Sequence, residues 1–159
     1  MISVMFVCHG NICRSPMAEY IFKDILEKKG LSSAFRVESS AVTTEEIGND
    51  VYPPARKELA RHSVLCPRRA ARLIRKEDVA AFDLILCMDR SNLDRLFRLA
   101  PEAREKTRLL GDYGLGGRSI ADPWYTGDFE TTYEEIALAS EALLRTLLAE
   151  EAERKSSNL

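Results

Sequence analysis

Apolar positions recur along the chain in two rhythms. Ile2-Ser3-Val4-Met5-Phe6-Val7 is almost continuously apolar, the pattern of a strand covered on both faces of a parallel sheet. Met17, Ala18, Ile21, Phe22, Ile25 and Leu26 then return at helical spacing. Ser15-Pro16 supplies a cap and a first-turn proline ahead of them, and Gly30 a stop. Residues 35–38 predict a second strand, and the polar stretch 39–54, with Gly48-Asn49 and Pro53-Pro54, a loop. Short helices are expected around 55–61 and 68–81, a third strand over 83–88, a helix over 91–99 and a short fourth strand over 107–110. The glycine-rich segment 111–127 predicts a surface loop. Phe129, Tyr133, Ile136, Ala137, Ser140, Leu144, Leu147 and Leu148 draw the buried stripe of a long final helix. Strands alternating with helices imply an α/β fold: a doubly wound four-stranded parallel sheet with helices on both faces. The sheet is expected to form one domain over 1–155, with 156–159 a frayed tail.

Composition narrows the functional classes. With 159 residues, 45% hydrophobic and 30% charged, the chain has enough apolar content for a core without staples. A net charge of −2 gives no pull toward nucleic acid or an acidic membrane surface. No apolar run approaches bilayer length, and Met1 leads into a strand rather than a signal peptide. Four cysteines, two in apolar surroundings, do not suit a secreted disulfide framework, so a reducing, cytoplasmic setting is expected.

The chemistry gathers in the loop after the first strand, where an open α/β sheet binds its ligands. Cys8-His9-Gly10-Asn11-Ile12-Cys13-Arg14-Ser15 joins a strand end to a helix start. A loop of that length can curl its N–H groups inward as a phosphate cradle, reinforced by the positive end of the helix dipole. Gly10 and Asn11 suit positive-φ positions in such a curl, and Arg14 offers a planar fork to two phosphate oxygens. The same cradle favours a Cys8 thiolate, an in-line nucleophile beneath a bound phosphoryl group. Cys13, on the same loop, could resolve an oxidised Cys8 into a disulfide. No His, Cys and carboxylate cluster has metal-ligand spacing, and no cofactor is expected.

The string Val7-Cys8-x-Gly10-Asn11-x-Cys13-Arg14-Ser15-Pro16, together with Asp122-Pro123-Trp124-Tyr125, resembles the low-molecular-weight protein tyrosine phosphatases. Weaker similarity passes through Arg36-Val37-Glu38-Ser39, Glu46-Ile47-Gly48-Asn49, Arg61-His62-Ser63 and Cys87-Met88-Asp89-Arg90-Ser91-Asn92, so it covers nearly the whole chain. The resemblance implies Cys8 as nucleophile, Arg14 as phosphate clamp and Asp122 as general acid. It implies a supporting network of Asn11, Ser15, Ser39 and His62. For Ser39 and His62 the plainer reading, a strand-end hydroxyl and a satisfied histidine, stands equally open. Asp122 also makes sense alone: a phenolic leaving oxygen takes a proton on departure, and the following proline holds Asp122 extended. Trp124 and Tyr125 either wall the pocket or pack beneath the loop. His9 is expected at the pocket rim. Glu45 lies, by the likeness, where relatives often place an aromatic residue, and a carboxylate there favours basic or differently shaped peptides.

The expected activity is hydrolysis of phosphotyrosine in proteins and of small aryl phosphates through a phosphocysteine, inhibited by phosphate-like oxyanions, in a monomer or weak dimer. Protein-arginine phosphatases and thiol-dependent arsenate reductases share the fold by resemblance. The first tend to carry Thr where this chain has Ile12, and the second need two nearby cysteines, whereas Cys66 and Cys87 lie far apart. A non-catalytic phosphoprotein-binding module would need neither Cys8 nor Asp122. The basic run Arg68, Arg69, Arg72, Arg75 and Lys76 reads as a solvated helix face, or as a docking surface for acidic partners.

Overall fold

The alternating side chains of the first strand organise the molecule. In the computed structural model, which describes residues 1–158, β1 (Ile2–Cys8) sends Val4, Phe6 and Cys8 to one face and Met5 and Val7 to the other. All these side chains are buried, as a central parallel strand requires. β1 pairs in parallel with β2 (Phe35–Ala41) on one side and β3 (Leu84–Cys87) on the other, and β3 pairs with β4 (Thr107–Leu109). The order β2-β1-β3-β4 is the expected doubly wound sheet. Its winding reverses beside β1, so the crevice at the carboxyl end of β1 is the place where such sheets take ligands.

On the face of Val4 and Phe6 lie α1 (Arg14–Lys28), α2 (Pro53–Arg61) and α6 (Phe129–Ser157), with Phe22 edge-on to both Phe6 and Phe35 at 5.8 Å. On the face of Met5 and Val7 lie α3 (Lys76–Ala81) and α4 (Arg90–Leu99), packed through Val79, Phe82 and Leu96. A four-residue turn, α5 (Pro123–Thr126), stands alone before α6. Among the described residues no helix is long and apolar enough to cross a membrane.

Several boundaries differ from the sequence expectation. β2 continues through Ser39 and Ser40 to Ala41, because their hydroxyls are satisfied inside the protein and need no solvent. Residues 68–75 are not helical. Ala41 N–H donates to Arg72 O at 2.7 Å and Ile74 N–H to Ala41 O at 2.8 Å, so this segment lengthens the sheet edge beside β2 instead. The glycine-rich stretch contains a 3₁₀ turn at Leu110–Asp112 as well as α5, and Gly111 is required there, since a Cβ would meet Arg118 O at 1.6 Å. The buried stripe of α6 runs through Ala139 and Leu143 and leaves Leu148 exposed. Of the tail expected to fray, Ser156 and Ser157 are the last residues of α6, Asn158 caps it, and Leu159 lies outside the described residues.

Candidate active site

Cys8 ends β1 and Arg14 begins α1, and the loop between them is shaped by contacts from outside it. Every carbonyl that the surroundings grip points away from the loop centre. Cys8 O accepts from Val42 N–H, His9 O from Thr43 N–H, Ile12 O from Tyr52 N–H and Cys13 O from Met17 N–H, at 2.9–3.2 Å. Asn11 O accepts from Arg69 Nη1 at 2.6 Å. With the carbonyls turned outward, the amides of residues 9, 10, 12, 13 and 14 have no protein acceptor among the described residues. Buried amides go unpaired only where something else takes them. The loop is a ring of donors at the N-terminus of a fifteen-residue helix.

Asn11 sets the curl. Its φ of 60° lies in the left-handed region, a conformation that an L-residue adopts only when held there. Gly10 contributes space rather than positive φ, because a Cβ would come within 3.1 Å of Glu46 Cγ. The Asn11 side chain is fully buried and donates from Nδ2 to Ser15 Oγ (2.8 Å) and Ser39 Oγ (3.0 Å). Ser39 donates in turn to Glu19 Oε1 at 2.6 Å, and Lys23 closes the chain on Glu19 Oε2 at 2.6 Å. Asn11 Oδ1 accepts from Arg72 N–H (3.3 Å) and from Arg69 Nη2.

Ser15 does not cap α1, which starts at Arg14 behind Cys13 without a side-chain cap. Its hydroxyl lies 3.0 Å from Cys8 Sγ, and Asn11 N–H donates to the same sulfur at 3.3 Å. Cys8 itself is 3% exposed, at the bottom of a cavity of about 140 Å³.

Arg14 is buried, and its donors are unevenly engaged. Nη1 is fixed by Asp89 Oδ2 at 2.8 Å and Ile120 O at 2.7 Å, while Nη2 has one long contact, 3.4 Å to Asp122 Oδ2. Burial works against its charge, but Cys8, Asp122 and Asp89 together outweigh burial and hold the guanidinium more firmly protonated than usual. The Nε–Nη2 edge is left to donate to two oxygens of a second partner. Asp89 is a residue that sequence reasoning left without a task. Its Oδ1 caps α4 by accepting from Asn92 N–H at 2.9 Å while Oδ2 holds Arg14. The Asp89-x-x-Asn92 capping pattern was the readable signal.

Asp122 caps α5, its Oδ1 accepting from Trp124 N–H at 3.0 Å in an Asx turn across Pro123. Trp124 and Tyr125 line the cavity, both exposed, as do His9, Glu45 and Glu46. His9 Nε2 and Glu45 Oε2 lie 2.6 Å apart at the rim. Ile12 and Cys13 complete the lining. The Cys13 thiol is pushed up by burial first, then by Cys8 and Asp122. Cys8 and Cys13 are both free thiols.

The structure does not bring His62 into this network. It follows α2, bonds Glu58 Oε2 one turn back at 2.8 Å, and stacks on Tyr133 of α6 with ring centroids 3.6 Å apart. The position beside Asn11 is filled by Arg69, read from sequence as part of a solvated helix face. Arg72 is also turned inward, to Asp78 (2.8 Å) and Glu38 (3.2 Å), leaving Arg68, Arg75 and Lys76 exposed. Buried acceptors within reach, rather than solvent, decide where these two guanidiniums lie.

The family model for low molecular weight phosphotyrosine protein phosphatase matches residues 3–155. The chain belongs to that family. A human low molecular weight phosphotyrosine protein phosphatase is 41% identical over 148 residues, covering 89% of this chain and 93% of the relative. The Bacillus subtilis phosphatase YfkJ is 36% identical over 155 residues, 94% of this chain and 98% of the relative. The crystal structure of YfkJ superposes with a TM-score of 0.90 at 37% identity, covering 94% and 96% of the two chains. A Streptococcus pyogenes phosphatase of the same family superposes at 0.86 with 33% identity, covering 97% and 98%. This member of the family is therefore a hydrolase with the four-stranded architecture of those enzymes.

Proposed function

We propose that the chain hydrolyses phosphotyrosine in proteins, and small aryl phosphates, in two steps through a phosphocysteine. One observation carries the reading: a ring of acceptor-free amides and one buried guanidinium surrounds a sulfur at the end of β1. Tetrahedral oxyanions match such a ring, and the thiolate is the nucleophilic form of cysteine. The family's phosphotyrosine specificity and the aromatic side chains at the rim support the aryl group, with Ile12 presenting an apolar surface to the ring.

In the first step Cys8 Sγ attacks phosphorus in line and the bond from phosphorus to the phenolic oxygen breaks. Asp122 gives that oxygen its proton, so tyrosine leaves neutral. Arg14 presents its Nε–Nη2 edge to two equatorial oxygens while Asp89 and Ile120 O keep Nη1 in place. In the second step water attacks phosphorus, its proton passes to the Asp122 carboxylate, and the P–S bond breaks. The released sulfur then accepts again from Asn11 N–H and the Ser15 hydroxyl. Cys87, fully buried within β3 and pushed up by that burial, is not placed to relay a disulfide, which disfavours the arsenate-reductase chemistry.

Burst kinetics on an aryl phosphate test the reading. Cys8→Ser should show neither burst nor turnover. In the burst phase, which reports the first transfer, Asp122→Ala should lose about 10²–10⁴-fold on phenyl phosphate and much less on a nitrophenyl phosphate. Parent-like turnover in Cys8→Ser would remove the mechanism.

A further inference from the structure

Asp122 sits on an element too short to hold itself. α5 has four residues, whereas a helix of that length has no independent stability. Pro123 is its only buried residue, so its orientation depends on what its side chains meet. Trp124, the sole tryptophan of the chain, is half exposed, and its ring meets that of Tyr52 with centroids 4.7 Å apart and planes tilted by 48°.

Tyr52 is fixed from both directions. The following Pro53 restricts it to extended backbone, observed at φ −56° and ψ 130°. Its N–H donates to Ile12 O in the phosphate loop at 2.9 Å, and its carbonyl accepts from Ala55 and Arg56 at the start of α2. Its ring also lies 6.0 Å from Phe129, the first residue of α6, and packs against the Ile12, Cys13 and Ala71 cluster. Tyr52 thus touches both the loop that would bind phosphate and, through Trp124, the turn that carries the carboxylate.

Resting on the phosphatase reading above, we propose that Tyr52 is a positioning residue. Its ring braces Trp124 and thereby sets the reach of the Asp122 carboxyl toward the leaving oxygen. The brace is the ring itself, whose centroid lies 4.7 Å from that of Trp124. Loosening it leaves the nucleophile, the cradle and Arg14 in place and moves only the proton donor. Displacement of a catalytic group by an ångström is enough to cost about a hundredfold in rate.

The test compares kcat/KM, which reports formation of the phosphocysteine and not its hydrolysis, for parent, Tyr52→Leu and Tyr52→Phe on phenyl phosphate and dinitrophenyl phosphate, with vanadate inhibition and Trp124 emission on the same preparations. Tyr52→Leu should lose about tenfold to a hundredfold on phenyl phosphate. It should stay within about twofold of the parent on dinitrophenyl phosphate, whose leaving group needs no proton. Vanadate inhibition should be unchanged, and Trp124 emission should shift to the red as its ring loses cover. Tyr52→Phe should restore every one of these values. Equal losses on both substrates with weaker vanadate inhibition would overturn the proposal, since Tyr52 would then merely shore up the cradle through Ile12. A parent-like phenyl phosphate rate in Tyr52→Leu would overturn it too. A parent protein that turns over neither ester refutes the phosphatase reading itself, and with it the proposal.

Discussion

Arg69 holds the curl of the phosphate loop at two atoms of Asn11, and replacing it by Met isolates that contribution. Two charge-assisted bonds are lost, from Nη1 to Asn11 O (2.6 Å) and from Nη2 to Asn11 Oδ1. At about 1.5 kcal/mol for each such bond, the loss reaches about 3 kcal/mol. Two features reduce it: Arg69 is half-buried, so water reaches part of the site, and Oδ1 keeps the Arg72 N–H at 3.3 Å. The remaining cost is about 2 kcal/mol, comparable to the penalty of holding one L-residue in the left-handed region. Spread over folding, this lowers the melting temperature by about 4–8 °C for a chain of this size. Felt as lost preorganisation, it weakens phosphate inhibition by up to about 30-fold. Inhibition constants for phosphate and vanadate, measured beside thermal melts, separate the two. Arg69→Lys should recover only part, because an ammonium cannot serve two acceptors in the fixed geometry of a fork. The reasoning is refuted if Arg69→Met melts early yet binds phosphate as the parent does.

Other outcomes follow from the same geometry. Asp89→Asn keeps an acceptor for the α4 cap but loses the charge on Arg14, so phosphate inhibition should weaken by about tenfold or more with little change in melting. Asp89→Ala should lose both, and equal melting losses in the two variants would count against a divided role. In alkylation at neutral pH followed by peptide mapping, Cys13 and Cys87 should resist modification. Burial pushes both thiols up, aided by Cys8 and Asp122 at Cys13 and by Asp89 at Cys87; rapid labelling of either would contradict their placement. Burial, then the Glu19 carboxylate, pushes Tyr20 up to about 12. Its unfolded value is about 10, so the folded state loses stability as pH rises from about 10 through 12, and Tyr20→Phe should flatten that alkaline limb of urea melts. Burial alone would raise Asp78, but the Arg72 guanidinium and Arg75 N–H more than offset it and leave its carboxyl below the usual range. Its contribution is therefore present above about pH 4 and lost as pH falls through the folded value, so Asp78→Asn should be less sensitive to acid than the parent.

What the sequence made legible is what is local. Ile2 to Val7 could be read as a covered strand because neighbouring residues carry the pattern, and Cys8 to Ser15 as a cradle because all its chemistry lies within one turn. Asp122 was singled out by the likeness, and the fold brings its Oδ2 to 3.4 Å from Arg14 Nη2. Arg69 and Tyr52 were not legible, since each acts on a residue far away in sequence and has an ordinary local context; Asp89 was legible only as a helix cap, not as the partner of Arg14. Arg69 sat within a basic run whose solvated-face reading ignored acceptors supplied 58 positions earlier. The hydroxyls of Ser39 and Ser40 hid the end of β2, because a polar pair ends a strand only if nothing inside the protein receives it. His62 was assigned by likeness alone, and Glu58, four residues before it, holds it elsewhere.

The outward-facing carbonyls of the phosphate loop have a thermodynamic consequence. Their partners come from β2's exit, from α2's approach, from α1 and from the segment before α3, so the anion site exists only when those distant parts are assembled. A synthetic peptide spanning residues 6–20 would contain Cys8 and Arg14 yet should show no affinity for phosphate. In the intact chain, each occupied oxyanion site is linked to the whole folding equilibrium, so millimolar phosphate in a cell or a buffer acts as a stabiliser of the entire domain.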